Sequence, residues 1–128
     1  RASFYPAQMI IQTRRPEEPA IVAALSGGVS EFMDAELARR EELGFPPFRR
    51  LALMELCRTD TAAAEGLARR LRRHNGVEVL GPVPGRRASL RLLVKLPRDL
   101  PLSRVMPPDA VNLPGAEVRV DVDPLDVV

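Results

Sequence analysis

A chain of 128 residues, 45% of them hydrophobic and with a net charge of +2, is long enough for one small domain with its own core. That composition excludes a disordered polyelectrolyte. A single cysteine, Cys57, excludes an internal disulfide, and a single histidine, His74, excludes a Cys/His zinc cluster. No apolar run approaches the ~20 residues of a membrane span, no leader pattern opens the chain, and a reducing, cytoplasmic setting is expected.

Met9-Ile10-Ile11 reads as a short buried strand, and Arg14 to Pro19 as a charged, proline-bounded connector. A helix is expected from Ala20 to Leu25, ended by Gly27-Gly28. The next starts at Ser30 as N-cap, with Glu31 and Asp34 in its first turn and Val29, Phe32, Met33 and Leu37 as an apolar stripe. Gly44 is its expected C-cap, and Pro46-Pro47 forbids continuation. Phe48 to Arg58 is a strand rich in leucine. Asp60 or Thr61 caps a helix in which Ala64, Leu67, Ala68 and Leu71 recur at helical spacing, stopped by Asn75-Gly76. Val77 to Val83 and Leu90 to Leu96 are two further strands around a turn at Gly85. Leu100 to Ala110 is proline-rich and fits a short irregular helix. The last strand alternates, with Val118, Val120 and Val122 inward and Glu117, Arg119 and Asp121 outward.

From Phe48 the order is β-α-β-β-α-β, the pattern of an α+β, ferredoxin-like sandwich preceded by a helical linker. The expected divisions are 1–18 as a strand and connector, 19–47 as the linker and 48–128 as the sandwich domain. That fold by itself assigns no function.

The sequence carries no phosphate-binding loop, nucleophile elbow or zinc-protease helix, so neither a catalytic centre nor a cofactor is expected. Asp121 and Asp123 alternate on a strand, but two carboxylates without further oxygens do not make a cation site. Eighteen of the nineteen cationic residues are arginine, with Lys95 the exception. A codon bias accounts for this, and so does phosphate recognition by guanidinium forks. Position separates these readings better than number does. Val79 to Arg98 carries Arg86, Arg87, Arg91, Lys95 and Arg98 with no acid, whereas Asp109 to the end is acidic apart from Arg119. Strand period places Arg91 and Lys95 on one sheet face, beside the arginine-bearing turn. Such a face either holds a phosphate backbone or is merely solvated. Only five aromatics occur, so base stacking cannot dominate.

The helix EFMDAELARREEL running into Leu43-Gly44-Phe45-Pro46-Pro47-Phe48, followed by RLALMEL, resembles a segment of the PriA replication-restart helicase family (primosomal protein N′). IIQT (Ile10 to Thr13), VLGPVP (Val79 to Pro84) and VRVDVDP (Val118 to Pro124) agree in the same order, so the resemblance covers nearly the whole chain. It implies a non-catalytic C-terminal module, with an ATP-dependent helicase as parent. Its partners would be single-stranded or forked DNA, the acidic tail of single-stranded DNA-binding protein, and other primosome proteins. Implied DNA contacts are Arg86, Arg87, Arg91 and Lys95, with Arg49 and Arg50 after the LGFPPF segment; Arg98 is the implied anchor for an acidic tail. The Gly85–Arg91 loop is shorter than the family's and lacks its aromatic. Arg1-Ala2-Ser3-Phe4 stands where the family has Arg-Ala-Gly-Arg, which implies a degenerate motor in the parent protein. A bracing or protein-docking domain without DNA contact is the alternative.

Overall fold

The computed structural model describes residues 9–110 and 115–124. Its elements are α1 (Pro19–Ser26), α2 (Val29–Leu43), β1 (Arg49–Cys57), α3 (Thr61–Leu71), β2 (Glu78–Pro84), β3 (Leu90–Pro97), α4 (Leu102–Val105) and β4 (Glu117–Val122). They fall into two compact units, Arg1–Leu37 and Ala38–Val128, with the division inside α2. The Arg1–Phe4 tetrad lies outside the described residues.

In the first unit, α1 begins at Pro19, where the missing N–H is not needed, and ends at Gly27 in the left-handed region (φ 80°). Met9 and Ile10 form no strand and are 74% and 85% exposed, contrary to the expected buried strand. A single extended segment with no neighbour to complete its backbone hydrogen bonds is not held as a strand. α2 starts at Val29 rather than after Ser30, and none of its residues is buried. The expected stripe is therefore largely open: Val29, Met33 and Leu37 are exposed, and Phe32 is only half-buried. After Leu37 the sequence turns to Arg39, Arg40, Glu41 and Glu42, so the stripe lasts only about two turns and makes no continuous apolar face.

The second unit is a four-stranded sheet in the order β2-β3-β1-β4, with every neighbouring pair antiparallel. With α3 and α4 as its connections, this is the ferredoxin-like α+β arrangement. Ala52, Met54 and Leu56 of β1 register with Val94, Leu92 and Leu90 of β3, and Val79 of β2 pairs with Val94. These residues share one face, and α3 packs against it on β2 and β3. Ala64, Leu67, Ala68 and Leu71 complete that core with Val105 and Ala110. The two alanines let the helix approach the sheet closely, and each fully buried leucine stabilises by ~1.5–3 kcal/mol. Asp60 caps α3 by accepting the Ala63 N–H at 2.7 Å. Just past its end, Arg72 donates to the Val79 carbonyl (2.9 Å) and the Gly81 carbonyl (3.2 Å), fastening helix to strand where a cation suits the helix dipole.

Register places Val118, Val120 and Val122 on this same side, as their alternation predicts. Yet Val120 and Val122 remain 41% and 45% exposed, because β4 is the edge strand and α3 lies over the opposite half of the sheet. Asp121 and Asp123 do not share a face: the strand stops at Val122, and Asp123 turns over at φ 52°. Its N–H donates to the Leu51 carbonyl at 2.8 Å, and its carboxylate accepts from the Leu51 N–H at 3.2 Å. No group of three His, Cys, Asp or Glu capable of holding a metal exists among the described residues, and no helix there is long and apolar enough to cross a membrane.

The other sheet face carries Leu51, Leu53, Glu55, Arg91, Leu93, Lys95, Glu78, Leu80, Arg119 and Asp121. One corner of it is covered by the end of α2. There Gly44 (φ 63°) donates to the Glu41 carbonyl and Phe45 to the Arg40 carbonyl, a Schellman stop. Leu51 and Lys95 are buried beneath this segment.

Candidate nucleic-acid interface

The β2–β3 turn is a braced loop. Gly85 N–H donates to the Ser89 carbonyl (2.8 Å), and Ser89 N–H donates to the Arg86 carbonyl (3.1 Å). The buried Ser89 Oγ lies 2.7 Å from both Glu55 Oε1 and the Arg86 carbonyl, and its one proton serves them in turn. Gly85 is required by close approach: a Cβ there would sit 2.4 Å from Ser89 Oγ and 3.0 Å from the Arg91 side chain. Arg87 and Ala88 both have positive φ (53° and 56°), a conformation non-glycine residues adopt only when their surroundings hold them. As a result Arg86 and Arg87 project outward, exposed, and their guanidinium groups have no ion-pair partner among the described residues.

Arg91 stands next to this turn, directly across from Glu55 in the β1–β3 register. Its Nε is buried, makes no hydrogen bond among the described residues, and lies 3.9 Å from Glu55 Oε1. Its side chain also borders an apolar groove of about 340 Å³ formed with Leu53, Leu80, Gly81, Val83, Pro84 and Leu93.

The remaining expected contacts are placed differently. Lys95 does share the Arg91 face, but it is only 8% exposed. Its Nζ donates to the Leu43 carbonyl at 2.8 Å, faces Glu78 at 3.6 Å and sits 5.2 Å from the Phe45 ring centre. Arg49 reaches the Gly76 carbonyl, the Lys95 carbonyl (3.4 Å) and Glu78 (3.5 Å). Arg50 pairs with Asp123 at 3.3 Å. Arg49 and Arg50 therefore tie the start of β1 to its neighbours, and Lys95 ties β3 to the end of α2 and to β2. Arg98 is exposed on the turn after β3, where Leu100 N–H donates to the Pro97 carbonyl. The eight residues of β3 separate it from the β2–β3 turn by ~25 Å. The structure thus gathers Arg86, Arg87 and Arg91 at one end of the sheet, and Arg98 with Arg49 at the other.

Sequence reasoning missed the parts that hold the turn in place, Glu55 and Ser89. The available signal was Glu55 itself, a lone acid within the apolar run from Leu51 to Leu56, which foreshadows a buried partner.

Residues 41–125 match the model of the primosomal protein N C-terminal domain. The chain is 33% identical to the replication restart protein PriA of Synechocystis sp. over 95% of its length, and 36% identical to that of Thermotoga maritima over 90%. It is 33% identical to the Treponema pallidum protein of the same name over 94%. In each case it spans only 16% to 20% of the relative's own length. The chain belongs to the primosomal protein N C-terminal domain family.

Proposed function

We propose that this chain is a non-catalytic, DNA- and partner-binding module acting in replication restart. One observation carries the reading: two exposed guanidinium groups, Arg86 and Arg87, without an ion-pair partner among the described residues, on a hydrogen-bonded turn with Arg91 beside them. Guanidinium forks match phosphate oxygens bidentately, and a braced turn loses little entropy when it binds. With few aromatics in the sequence, the contact is to the backbone of single-stranded or forked DNA and is independent of sequence. Arg98, at the far end of β3, is the anchor for an acidic protein tail such as that of single-stranded DNA-binding protein. Relatives named as replication restart proteins support the setting.

Fluorescence anisotropy of labelled single-stranded and forked DNA across a salt series tests the reading. Three phosphate contacts give a log–log salt slope of about −2 on a single strand, and Arg86→Ala or Arg87→Ala each reduces its magnitude by ~0.7. A flat signal at low salt, or slopes unchanged in both variants, overturns it. Loss of binding to an acidic tail peptide on Arg98→Ala tests the second contact.

The bracing reading is kept alive by a different observation, the engagement of Arg49, Arg50 and Lys95 within the fold. A chain that fails to bind DNA yet docks on its parent's other domains would favour it. The degenerate-motor hypothesis rests on Phe4 standing where an arginine is expected, since phenylalanine cannot stabilise charge on a transferring phosphate. Robust DNA-stimulated ATP hydrolysis by the parent protein would sink it.

A further inference from the structure

A second concentration of positive charge lies in the helical layer, away from the open sheet face. Arg70 on the last turn of α3, Arg73 and His74 just beyond it, and Arg104 on α4 line a concavity of about 400 Å³, walled on its other side by Val105, Met106, Pro107 and Pro108. The sequence gives the reason for the convergence. Arg70 occupies the last turn of α3, Arg73 follows three residues later, and α4 is folded back so that Val105 is buried in the core while Arg104, its neighbour, points outward.

The charges in this concavity are unbalanced. Arg70 is held by Asp109 in a two-pronged contact, at 2.7 Å and 2.5 Å. Arg73 and Arg104 are exposed and have no ion-pair partner among the described residues. Three guanidinium groups therefore face one carboxylate, and the imidazole of His74 adds a further donor. Such crowding of like charges opposes folding unless an anion relieves it. Apolar side chains beside the charges lower the local dielectric and strengthen whatever contact forms there.

We infer that this concavity is a binding site for a terminal phosphate group, a phosphomonoester dianion carried by a nucleotide or by the end of a DNA strand. A dianion matches the excess of two positive charges, which an internal phosphodiester with one charge does not. Arg73 and Arg104 supply the direct contacts from two different elements, His74 donates a third hydrogen bond, and Arg70 is held by Asp109 as a fixed positive wall. The prolines and Met106 offer a surface for the sugar or base next to the phosphate. This site is distinct from the Arg86–Arg87 turn and does not depend on DNA binding there.

The chain, labelled with nitrogen-15, is titrated with thymidine monophosphate and, separately, with thymidine. Saturable shifts of the Arg73, His74 and Arg104 amides by the monophosphate, absent with the nucleoside, support the site. The Arg73→Gln/Arg104→Gln double variant, which changes exposed side chains only, weakens that binding by about tenfold or more, the loss expected for charge-assisted hydrogen bonds. No shift at these amides, shifts confined to the Arg86–Arg87 turn, or binding unchanged in the double variant overturns the inference. These readouts stand whether or not the chain binds long DNA, so a failure here is separable from a failure of the interface proposed above. A second arm identifies the source of the phosphate. Tighter binding of a 5′-phosphorylated oligonucleotide than of its 5′-hydroxyl twin, lost in the double variant, assigns the site to strand ends. Equal binding of the two, with the monophosphate shifts retained, assigns it to free nucleotides.

Discussion

The two faces of the sheet are made from the same two inner strands, β1 and β3, yet they are held by different physics. On the helix-covered face, Ala52, Met54, Leu56, Leu92, Val94 and Leu96 are essentially inaccessible and meet only apolar partners. On the opposite face the alternate residues of β1 and β3 are a mixture: Leu51, Leu53 and Leu93 beside Glu55, Arg91 and Lys95. There each charge is matched by a named neighbour, Lys95 by the Leu43 carbonyl and Glu78, Arg91 by Glu55. One face supplies stability through the packing of a closed apolar core. The other trades some of that stability for surfaces that remain wet and charged, which is where an anionic ligand can be met. The difference explains why a domain of near-neutral net charge can still present local positive sites.

Truncation gives the largest and most direct challenge to that contrast. Met54→Ala or Leu92→Ala should cost ~2–5 kcal/mol, because each leaves a cavity inside a closed core. Leu53→Ala on the open face, half-buried and lining the groove, should cost ~1 kcal/mol or less. Urea unfolding of the three variants checks this; equal losses would mean the open face is packed as tightly as the core. Next in size is Lys95→Ala, expected to cost ~1–3 kcal/mol by orphaning the Leu43 carbonyl and removing the cation from Phe45. Its DNA salt slope should equal that of the unaltered chain, whereas a reduced slope would make Lys95 a phosphate contact after all. Gly85→Ala is smaller in stability, ~1 kcal/mol, since Ser89 and Arg91 must shift to admit the new methyl group. It should nevertheless lower DNA affinity more than a stability loss of that size warrants, because it disturbs how the turn presents Arg86 and Arg87.

Most of the second unit was legible in the sequence because periodicity and punctuation agreed. Asp60 and the Ala64–Leu71 spacing defined α3, Gly44 and the two prolines defined the end of α2, and the two turn regions around Gly76 and Gly85 separated the strands. The first unit was less legible: the apolar residues Met9, Ile10, Val29 and Met33 carry the right residue types, but burial needs a partner surface, and a local pattern does not specify one. The candidate site was legible in part. Strand alternation correctly paired Arg91 with Lys95 on one face, but it carries no information about what lies over that face, and the Leu43–Phe45 segment is 52 residues from Lys95 at their hydrogen bond. Likewise the concavity of Arg70, Arg73, His74 and Arg104 joins two helices through tertiary folding, which no local pattern in the sequence specifies.

The smallest expected effect concerns the one acid that enters that concavity's charge balance. Hydrogen bonds from Arg70 hold the Asp109 carboxyl below its ordinary 3.8, aided by its own backbone N–H, and the same contact raises Arg70. Because the folded chain binds this proton less readily than the unfolded chain, the pair's contribution is complete above the ordinary carboxylate value. It is lost as pH falls through the depressed folded value. Both groups are largely solvent-exposed, so the contribution is modest and fades with salt. Urea midpoints of the chain and of Asp109→Asn should differ slightly at neutral pH and converge in acid, more so at low ionic strength. A difference independent of pH would show that Asp109 acts through its backbone turn, and that Arg70 is not the group that sets its charge. Asp109→Asn should also free Arg70 toward the concavity, tightening thymidine monophosphate binding if the third guanidinium is part of that site.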